Sequence, residues 1–318
     1  MNKMKKIGLT ALAASLVSVS AQAVDISGGS SLTYASGNDG VAGNPWSMND
    51  SLTFSWGGEL DNGFTVDMSF LLDNSDGAAS QIFDNRTLAI GMGDAGTLTF
   101  WGQAGSGVVG SFDDRTPNAY EESWVLATVT SATGTTANDE VVMINGRAGD
   151  KLWRYDSPTI SGVSVHASYV QAAASANEND HGDIGSYTDF GVQIAPEMVE
   201  GLTIGYATAE IEESTTISND ESTLWVTYTN GPISVGYQTS EADGQTTTQD
   251  DEATLMSISY AVTDDLSISY GTHEVDLGSS TTDQEAKGFS ASYTMGGVSI
   301  SVAMNEMENA AGSTDTTF

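Results

Sequence analysis

The sequence predicts an all-β chain, a transmembrane antiparallel up-and-down β-barrel with sixteen expected strands, on three observations. Apolar residues recur with a period of two through most of the chain. Short turns rich in Gly, Asn and Asp join these alternating runs in pairs. The alternate positions are mostly Ser, Thr and Gly, whereas a water-soluble sheet places charged residues on its solvent face. This small uncharged face indicates a surface that lines enclosed water.

The composition excludes several classes of protein. The chain has 318 residues, of which 43 are acidic and 9 basic, with no cysteine. The net charge of −34 excludes a nucleic-acid partner, because too few cations are present to neutralise a phosphate backbone. The absence of cysteine excludes disulfides, thiolate catalysis and cysteine-ligated metals. Hydrophobic residues make up 39%, which is low for a conventional globular core.

Residues 1–23 have the pattern of a secretory signal peptide. Three lysines among the first six residues precede an apolar stretch at 7–19, and Ala21–Ala23 forms a small-x-small cleavage site. We therefore expect export, with residues 24–318 forming one barrel domain. No later segment reaches the roughly 18 consecutive apolar residues of a spanning helix, so strands must do the crossing.

Hairpins are the repeating unit of the domain. Apolar residues alternate from Leu52 to Leu60, the turn Asp61–Gly63 follows, and the alternation resumes from Phe64 to Leu72. The same unit recurs around six further turns, at residues 94–96, 158–162, 195–201, 230–232, 263–265 and 296–297. With a leading strand at 24–35, the pattern gives fifteen strands.

The sixteenth strand is expected because bacterial barrels have an even strand number. Residues 314–318 resemble its beginning but lack apolar alternation. An unpaired strand edge in hydrocarbon costs several kcal/mol for each orphan backbone group. We therefore expect the C-terminal strand of the given sequence to be truncated.

Long polar segments join the hairpins at the opposite end from the short turns. They occupy residues 36–49, 74–85, 104–149, 173–185, 212–220, 240–252 and 274–285. Short turns at one end and long loops at the other are typical of barrels that cross an outer membrane. Four tyrosines on the apolar face precede short turns, as expected at the level of lipid headgroups. They are Tyr155, Tyr228, Tyr260 and Tyr293.

At this point the chain resembles the general diffusion porins of Gram-negative bacteria, and more closely their alphaproteobacterial branch. Arg154–Pro158, followed by Ile160–Val163, resembles the porin motif Tyr-x-Ser-Pro leading into a glycine-containing turn. The hairpin register extends the resemblance over the whole of 24–318. Porins end on an aromatic residue after an alternating strand; Phe318 supplies the aromatic residue, but residues 314–317 do not supply the strand.

The resemblance implies a homotrimer of sixteen-stranded barrels in the outer membrane, in contact with its lipid and lipopolysaccharide. Each barrel would be a passive channel for ions and small hydrophilic solutes. The third long loop of such proteins folds inward and narrows the pore, and residues 104–149 occupy that place between the fifth and sixth strands. A loop of this length is otherwise hard to explain.

The resemblance also implies a constriction where loop carboxylates face arginines on the wall. The loop residues that match are Asp113, Asp114, Glu121 and Glu122, with Arg115 among them. The candidate basic residues are Arg86, Arg147, Lys151 and Arg154. Alternation points Arg154 inward, because its two neighbours take the apolar face. Arg86 has outward parity, which favours a position at the rim.

Net charge predicts which ions pass through the channel, and the composition of the loops predicts which ions bind. Removal of the signal peptide leaves six basic residues against 43 acidic ones, so we expect a cation preference. No cofactor is expected. The acidic segments 74–77 and 177–183 offer oxygen ligands that suit Ca²⁺, although neither has a complete calcium-loop pattern, and solvated acidic loops are the alternative.

Three other functions are alternatives. An enzymatic function is not expected, because no G-x-S-x-G or H-E-x-x-H motif surrounds His166, His181 or His273. His166 has inward parity but no nearby Ser–Asp partners in sequence, and we interpret it as polar lining. A secreted acidic β-rich adhesin would share the leader and the acidity. A substrate-specific outer-membrane channel is the last alternative, for which the inward Trp225 is the single aromatic hint of sugar binding.

Overall fold

Over the part of the chain that the structure describes, the fold is a single antiparallel sheet of sixteen strands that follow one another in chain order. The computed structural model describes residues 24–34, 45–73, 83, 85–123, 144, 146, 151–172, 185–214, 217–244, 250–278, 282–309 and 316–317. Each strand pairs with its neighbour in sequence, which is the up-and-down topology expected from the hairpin pattern. The predicted signal peptide lies outside the described residues.

The strands are bounded as follows: β1 Asp25–Tyr34, β2 Trp46–Glu59, β3 Thr65–Asp73, β4 Asn85–Gly91, β5 Thr97–Gln103, β6 Leu152–Asp156, β7 Val163–Val170, β8 Tyr187–Ile194, β9 Leu202–Ser214, β10 Ile217–Asn230, β11 Ile233–Asp243, β12 Asp251–Ala261, β13 Leu266–Leu277, β14 Gln284–Met295, β15 Val298–Glu308 and β16 Thr316–Thr317. The first fifteen coincide with the fifteen predicted from the alternation. In the described residues the helices are two 3-10 turns, Gly93–Ala95 and Val109–Ser111, and no helix there is long and apolar enough to cross a membrane.

The β2–β3 hairpin shows why these residues form strands. Leu52 pairs with Leu72 and Phe54 with Phe70, so apolar side chains from both strands share one face. Gly63 takes a φ of 81°, a conformation that glycine adopts without strain. The Phe64 N–H donates to the side-chain oxygen of Asn62 at 3.1 Å. The turn therefore fixes the register that the alternation requires.

The two faces of the sheet differ in polarity and in exposure. On the outer face of β12, Met256, Ile258 and Tyr260 are 51%, 46% and 41% exposed. On the inner face, Ser269 and Ser290 are buried and join their hydroxyls at 2.7 Å. In the part of the chain that is described, one sheet is present and no second sheet covers the apolar face. That arrangement suits a hydrocarbon solvent outside and a polar interior.

Several predicted loops are partly strand. The β9 strand continues to Ser214 and β10 begins at Ile217, so the polar segment 212–220 is mostly paired backbone. The segments 240–252 and 274–285 are shortened in the same way by β11 to β14. The prediction was wrong here because loss of apolar alternation marks where the strand leaves lipid, whereas backbone pairing continues beyond that level.

The two ends of the sheet approach each other without pairing in the described residues. The strand β16 pairs with Met307 and Glu308 at the loop end of β15. A cavity of about 900 Å³ is lined both by Gly28–Ser30 of β1 and by Gly297–Ser299 at the start of β15. The sheet therefore curls round until its ends face each other.

Candidate functional site

The segment 105–123, which follows β5, lies against the inner face of the sheet. Its start packs into the largest buried apolar cluster of the described residues. The members of this cluster are Val108, Val109, Phe112, Ile144, Leu152, Val170, Tyr187, Ala207, Ala209 and Trp225. Apolar contacts thus hold the beginning of the loop on the wall, and hydrogen bonds hold the remainder.

Asp189 on β8 anchors the start of the segment. Its carboxylate is 2% exposed and accepts the backbone N–H groups of Val108 and Val109, the second at 3.1 Å. The Tyr187 hydroxyl donates to the same oxygen at 2.6 Å. Hydrogen bonds to a charged acceptor are about twice as strong as neutral ones, so this point of the loop is firmly fixed.

Gln238 on β11 holds the middle of the segment. This side chain is fully buried, and its Oε1 accepts the Arg115 N–H at 2.8 Å. Its Nε2 donates to the carbonyls of Phe112 and Asp113 at 2.8 and 2.9 Å. One inward amide therefore sets the backbone of the turn that carries the acidic residues.

Serines on the next strands hold the end of the segment. Ser269 on β13 and Ser290 on β14 accept the N–H groups of Ala119 and Tyr120, at 2.9 and 3.2 Å. Ser257 on β12 donates to the Pro117 carbonyl at 2.6 Å. These bonds join side chains of the wall to the main chain of the loop, so the loop crosses the inner face strand by strand.

Glycines on the wall make room for this crossing. Gly236 of β11 lies directly beneath Thr116 and Pro117. At Gly288 of β14, an added Cβ would lie 2.5 Å from the Cα of Ser123. Such a distance is shorter than van der Waals contact, so a larger residue there must displace the loop. The absence of a side chain is what allows the two backbones to meet.

The loop carboxylates are crowded and partly desolvated. Burial raises the pKa of Asp113 to about 6, and the charge of Glu122 adds to this effect. Burial and a hydrogen bond with Glu122 raise the pKa of Asp114 to about 9. Burial and the neighbouring Glu122 also raise the pKa of Glu121. At neutral pH, Asp114 is therefore protonated and Asp113 is mostly ionised.

Arg115 is the one basic residue of the segment 105–123. Its guanidinium carbon lies 5.4 Å from the ring centre of Phe112 and 5.0 Å from that of Trp225. Its Nη2 also donates to Gln193 Oε1 at 3.4 Å. Trp225 points inward as predicted but is only 2% exposed, so its ring offers no open surface to a sugar.

Arg154 points inward, as its parity predicts, and belongs to an array of charged and polar groups on β6 and β7. Its Nε donates to both carboxylate oxygens of Asp156, at 3.0 and 3.2 Å. His166 Nδ1 lies 2.6 Å from Asp156 Oδ1, and His166 Nε2 lies 3.1 Å from Ser164 Oγ. Arg154 Nη1 also donates to the carbonyl of Gly107 at 3.1 Å, which ties the wall to the loop.

Sequence reasoning missed Asp156 and Ser164, and the expectation that His166 has no Ser–Asp pair was wrong. The signal was present in the alternation, because Asp156 lies two residues after Arg154 and Ser164 two before His166. Residues two apart on a strand share a face. What the alternation did not reveal is the register that sets Asp156 directly opposite His166.

The remaining candidates do not join this group. Arg86 lies at the start of β4 beside a register shift, and its buried Nε has no hydrogen-bond partner. Lys151 immediately precedes β6 with a φ of 62°. Arg147 and both candidate calcium segments lie outside the described residues. Within those residues, no group of three or more His, Asp or Glu side chains is arranged to hold a metal.

The chain is similar to known proteins in both sequence and fold. The family model described as Gram-negative porin matches residues 8–315. A porin refined at 1.8 Å is 16% identical with a TM-score of 0.64, and an anion-selective porin from Comamonas acidovorans is 12% identical with the same score; each alignment covers 93% of this chain and 97% of the other. A mutant of the Rh. blastica porin gives 15% identity, a TM-score of 0.62 and the same coverage. The search of curated proteins found no match.

Proposed function

Because this chain belongs to the Gram-negative porin family, we propose that it forms a water-filled channel in the outer membrane for passive diffusion of ions and small hydrophilic solutes. A cleaved leader at residues 1–23 and assembly as a homotrimer, in contact with lipid and lipopolysaccharide, are parts of the same proposal. The proposal rests on the way the segment 105–123 is attached to the inner face of the sheet. Its backbone is hydrogen-bonded to inward side chains of β8 and β11 to β15.

A loop fixed in this way would act as the constriction. It is held at its start by Asp189, in its middle by Gln238 and at its end by Ser269 and Ser290. The turn that carries Asp113 and Asp114 is thereby kept at one position on the wall. Charged groups at a narrow point of a pore sort solutes by sign, since they act where little water screens them.

We propose that the channel prefers cations. Arg154 is ion-paired with Asp156, so this wall cation is offset by a neighbouring anion. Within the segment 105–123, the carboxylates Asp113, Glu121 and Glu122 outnumber the single cation, Arg115. The Comamonas neighbour is an anion-selective porin, and therefore the shared fold leaves the sign of selectivity to the lining residues.

The test is electrical. The chain, purified in detergent and inserted into a planar lipid bilayer, should give stepwise increases of current in KCl. Under a KCl gradient, the reversal potential should have the sign of a K⁺ preference. Stepwise conductance with a Cl⁻ preference would retain the channel and reject the cation assignment. No conductance from an unboiled, heat-modifiable oligomer would reject the channel.

A further inference from the structure

Ser164, His166 and Asp156 lie in line on the inner face, at the junction of β6 and β7. Ser164 Oγ is 3.1 Å from His166 Nε2, and His166 Nδ1 is 2.6 Å from Asp156 Oδ1. Both distances lie in the range that activates a hydroxyl nucleophile through a histidine base and an orienting acid. This arrangement is recognised by its geometry, and it occurs on unrelated folds.

The strand register makes the arrangement rigid. Asp156 is directly opposite His166 in the β6–β7 ladder. Ser164 precedes His166 by two residues on the same strand and so shares its face. All three groups are therefore placed by paired backbone rather than by a loop, which is the more exact kind of support for a reactive site.

The surroundings favour the required protonation states. Arg154 donates from Nε to both oxygens of Asp156 and stabilises the carboxylate form. An ionised Asp156 holds the proton on His166 Nδ1, which leaves Nε2 free to accept the Ser164 proton. The Phe112 ring meets the imidazole edge to face at 5.9 Å and covers part of it from water.

Donors for a developing negative charge lie beside the serine. Gln193 is directly opposite Ser164 in the β7–β8 ladder. The Gln193 Oε1 accepts from Arg115, so the amide N–H groups of Gln193 remain available to another acceptor. The Arg115 guanidinium, 3.4 Å from Gln193 Oε1, adds a positive charge beside this amide. Such donors stabilise the oxyanion of acyl transfer.

We propose that Ser164 is a nucleophile that cleaves small esters in the lumen, a function beyond solute diffusion. His166 Nε2 takes the hydroxyl proton as Ser164 Oγ bonds to the ester carbonyl carbon. The bond from that carbon to the alkoxy oxygen then breaks, and the alcohol leaves with the proton from His166. Water repeats the sequence on the acyl-serine and releases the acid, so no oxidant or further reactant is required. Ser164 is 7% exposed, which restricts the substrate to small acyl groups.

The test uses the full-length oligomer in detergent and two small probes. Diisopropyl fluorophosphate should modify Ser164, identified by peptide mass spectrometry, and p-nitrophenyl acetate should be hydrolysed with an initial burst of p-nitrophenol. His166→Ala should slow modification by about a hundredfold, in the range of general-base contributions. Asp156→Asn should slow it at least about tenfold, because it removes the acceptor that orients the imidazole.

Matched controls separate a reactive serine from a polar lining. Ser292, on the inner face of β14, is bonded to Ser301 rather than to a histidine, so Ser292→Ala should react like the unaltered chain. Ser164→Ala should abolish both signals. An unaltered oligomer that conducts ions but is not modified at Ser164 would overturn this proposal and leave the channel intact. Equal modification of Ser164 with and without His166 would also overturn it, and the unaltered chain decides even if a variant fails to assemble.

Discussion

Two groups of charged residues differ in how their charges are arranged: Arg154, Asp156 and His166 on the wall, and Asp113 and Asp114 on the loop. On the wall, Arg154, Asp156 and His166 are joined by direct bonds of 2.6 to 3.2 Å. On the loop, Asp113 and Asp114 are crowded by other carboxylates and have raised pKa values. On the wall, strand geometry places Asp156 beside both Arg154 and His166, whereas the loop packed on the wall desolvates Asp113 and Asp114 near the carboxyl group of Glu122. Under the proposed cation preference, this difference places the pH dependence in the loop, whose carboxyl groups have raised pKa values.

The largest effect is expected from breaking the contact between the two regions. Gly288→Val places atoms where the backbone of Ser123 lies, so the end of the segment must move away from the wall. We expect single-channel conductance to change by about twofold or more, because a packed site cannot absorb the added volume. Gly297→Val is the control, since an added Cβ there meets nothing within 4 Å. Equal conductance in both variants would contradict the proposed attachment of the loop to the wall.

The next effect comes from undoing the pairing on the wall. Arg154→Gln removes a cation, leaves Asp156 with one partner fewer and releases the carbonyls of Ser106 and Gly107. The ratio of K⁺ to Cl⁻ permeability should rise by about two- to threefold, because an uncompensated anion now faces the pore. Reversal potentials measure this ratio. Lys287→Gln, which breaks an ion pair with Glu285 on the outer face, should leave it unchanged.

A smaller effect is expected from acid. The pKa of Asp113 is raised to about 6, so this carboxyl loses its charge as the pH falls from 8 to 5. Its charged neighbours are Glu122 and Arg115. Cation preference should decline by about a third with a midpoint near pH 6. A preference that stays constant over this range would show that the turn does not set selectivity.

The smallest effects separate two adjacent residues. At pH 7, Asp113 is mostly ionised, whereas Asp114, with a pKa of about 9, already carries its proton. Asp113→Asn should therefore lower the cation preference by about a third and remove the midpoint near pH 6. Asp114→Asn replaces a neutral group by another of the same shape and should change it by less than about a tenth. Reversal potentials of the two variants, measured side by side, test the assignment; a larger loss in Asp114→Asn would reverse it.

The sequence was sufficient to predict the strands, their pairing and the inward direction of Arg154. Alternation reports which face a residue takes, and short turns report which strands are neighbours. It did not reveal the link from Asp156 to His166, because that contact depends on the register between β6 and β7. It also missed Asp189 and Gln238, whose partners lie 80 and 123 residues away along the chain. A Ser/Thr/Gly lining looks uniform until the path of the loop across it is known.

The wall holds the segment 105–123 largely by its main chain, through carbonyl groups that every residue type supplies and amide N–H groups that every residue type except proline supplies. Side chains on the lumenal side of this segment can therefore be exchanged without dismantling its attachment. Descendants of such a protein can acquire a new permeability profile by substituting a few exposed positions, while the scaffold that sets the bore stays the same. Because attachment depends on the main chain, the charge, size and reactivity of the exposed side chains can be engineered independently of how the segment is held.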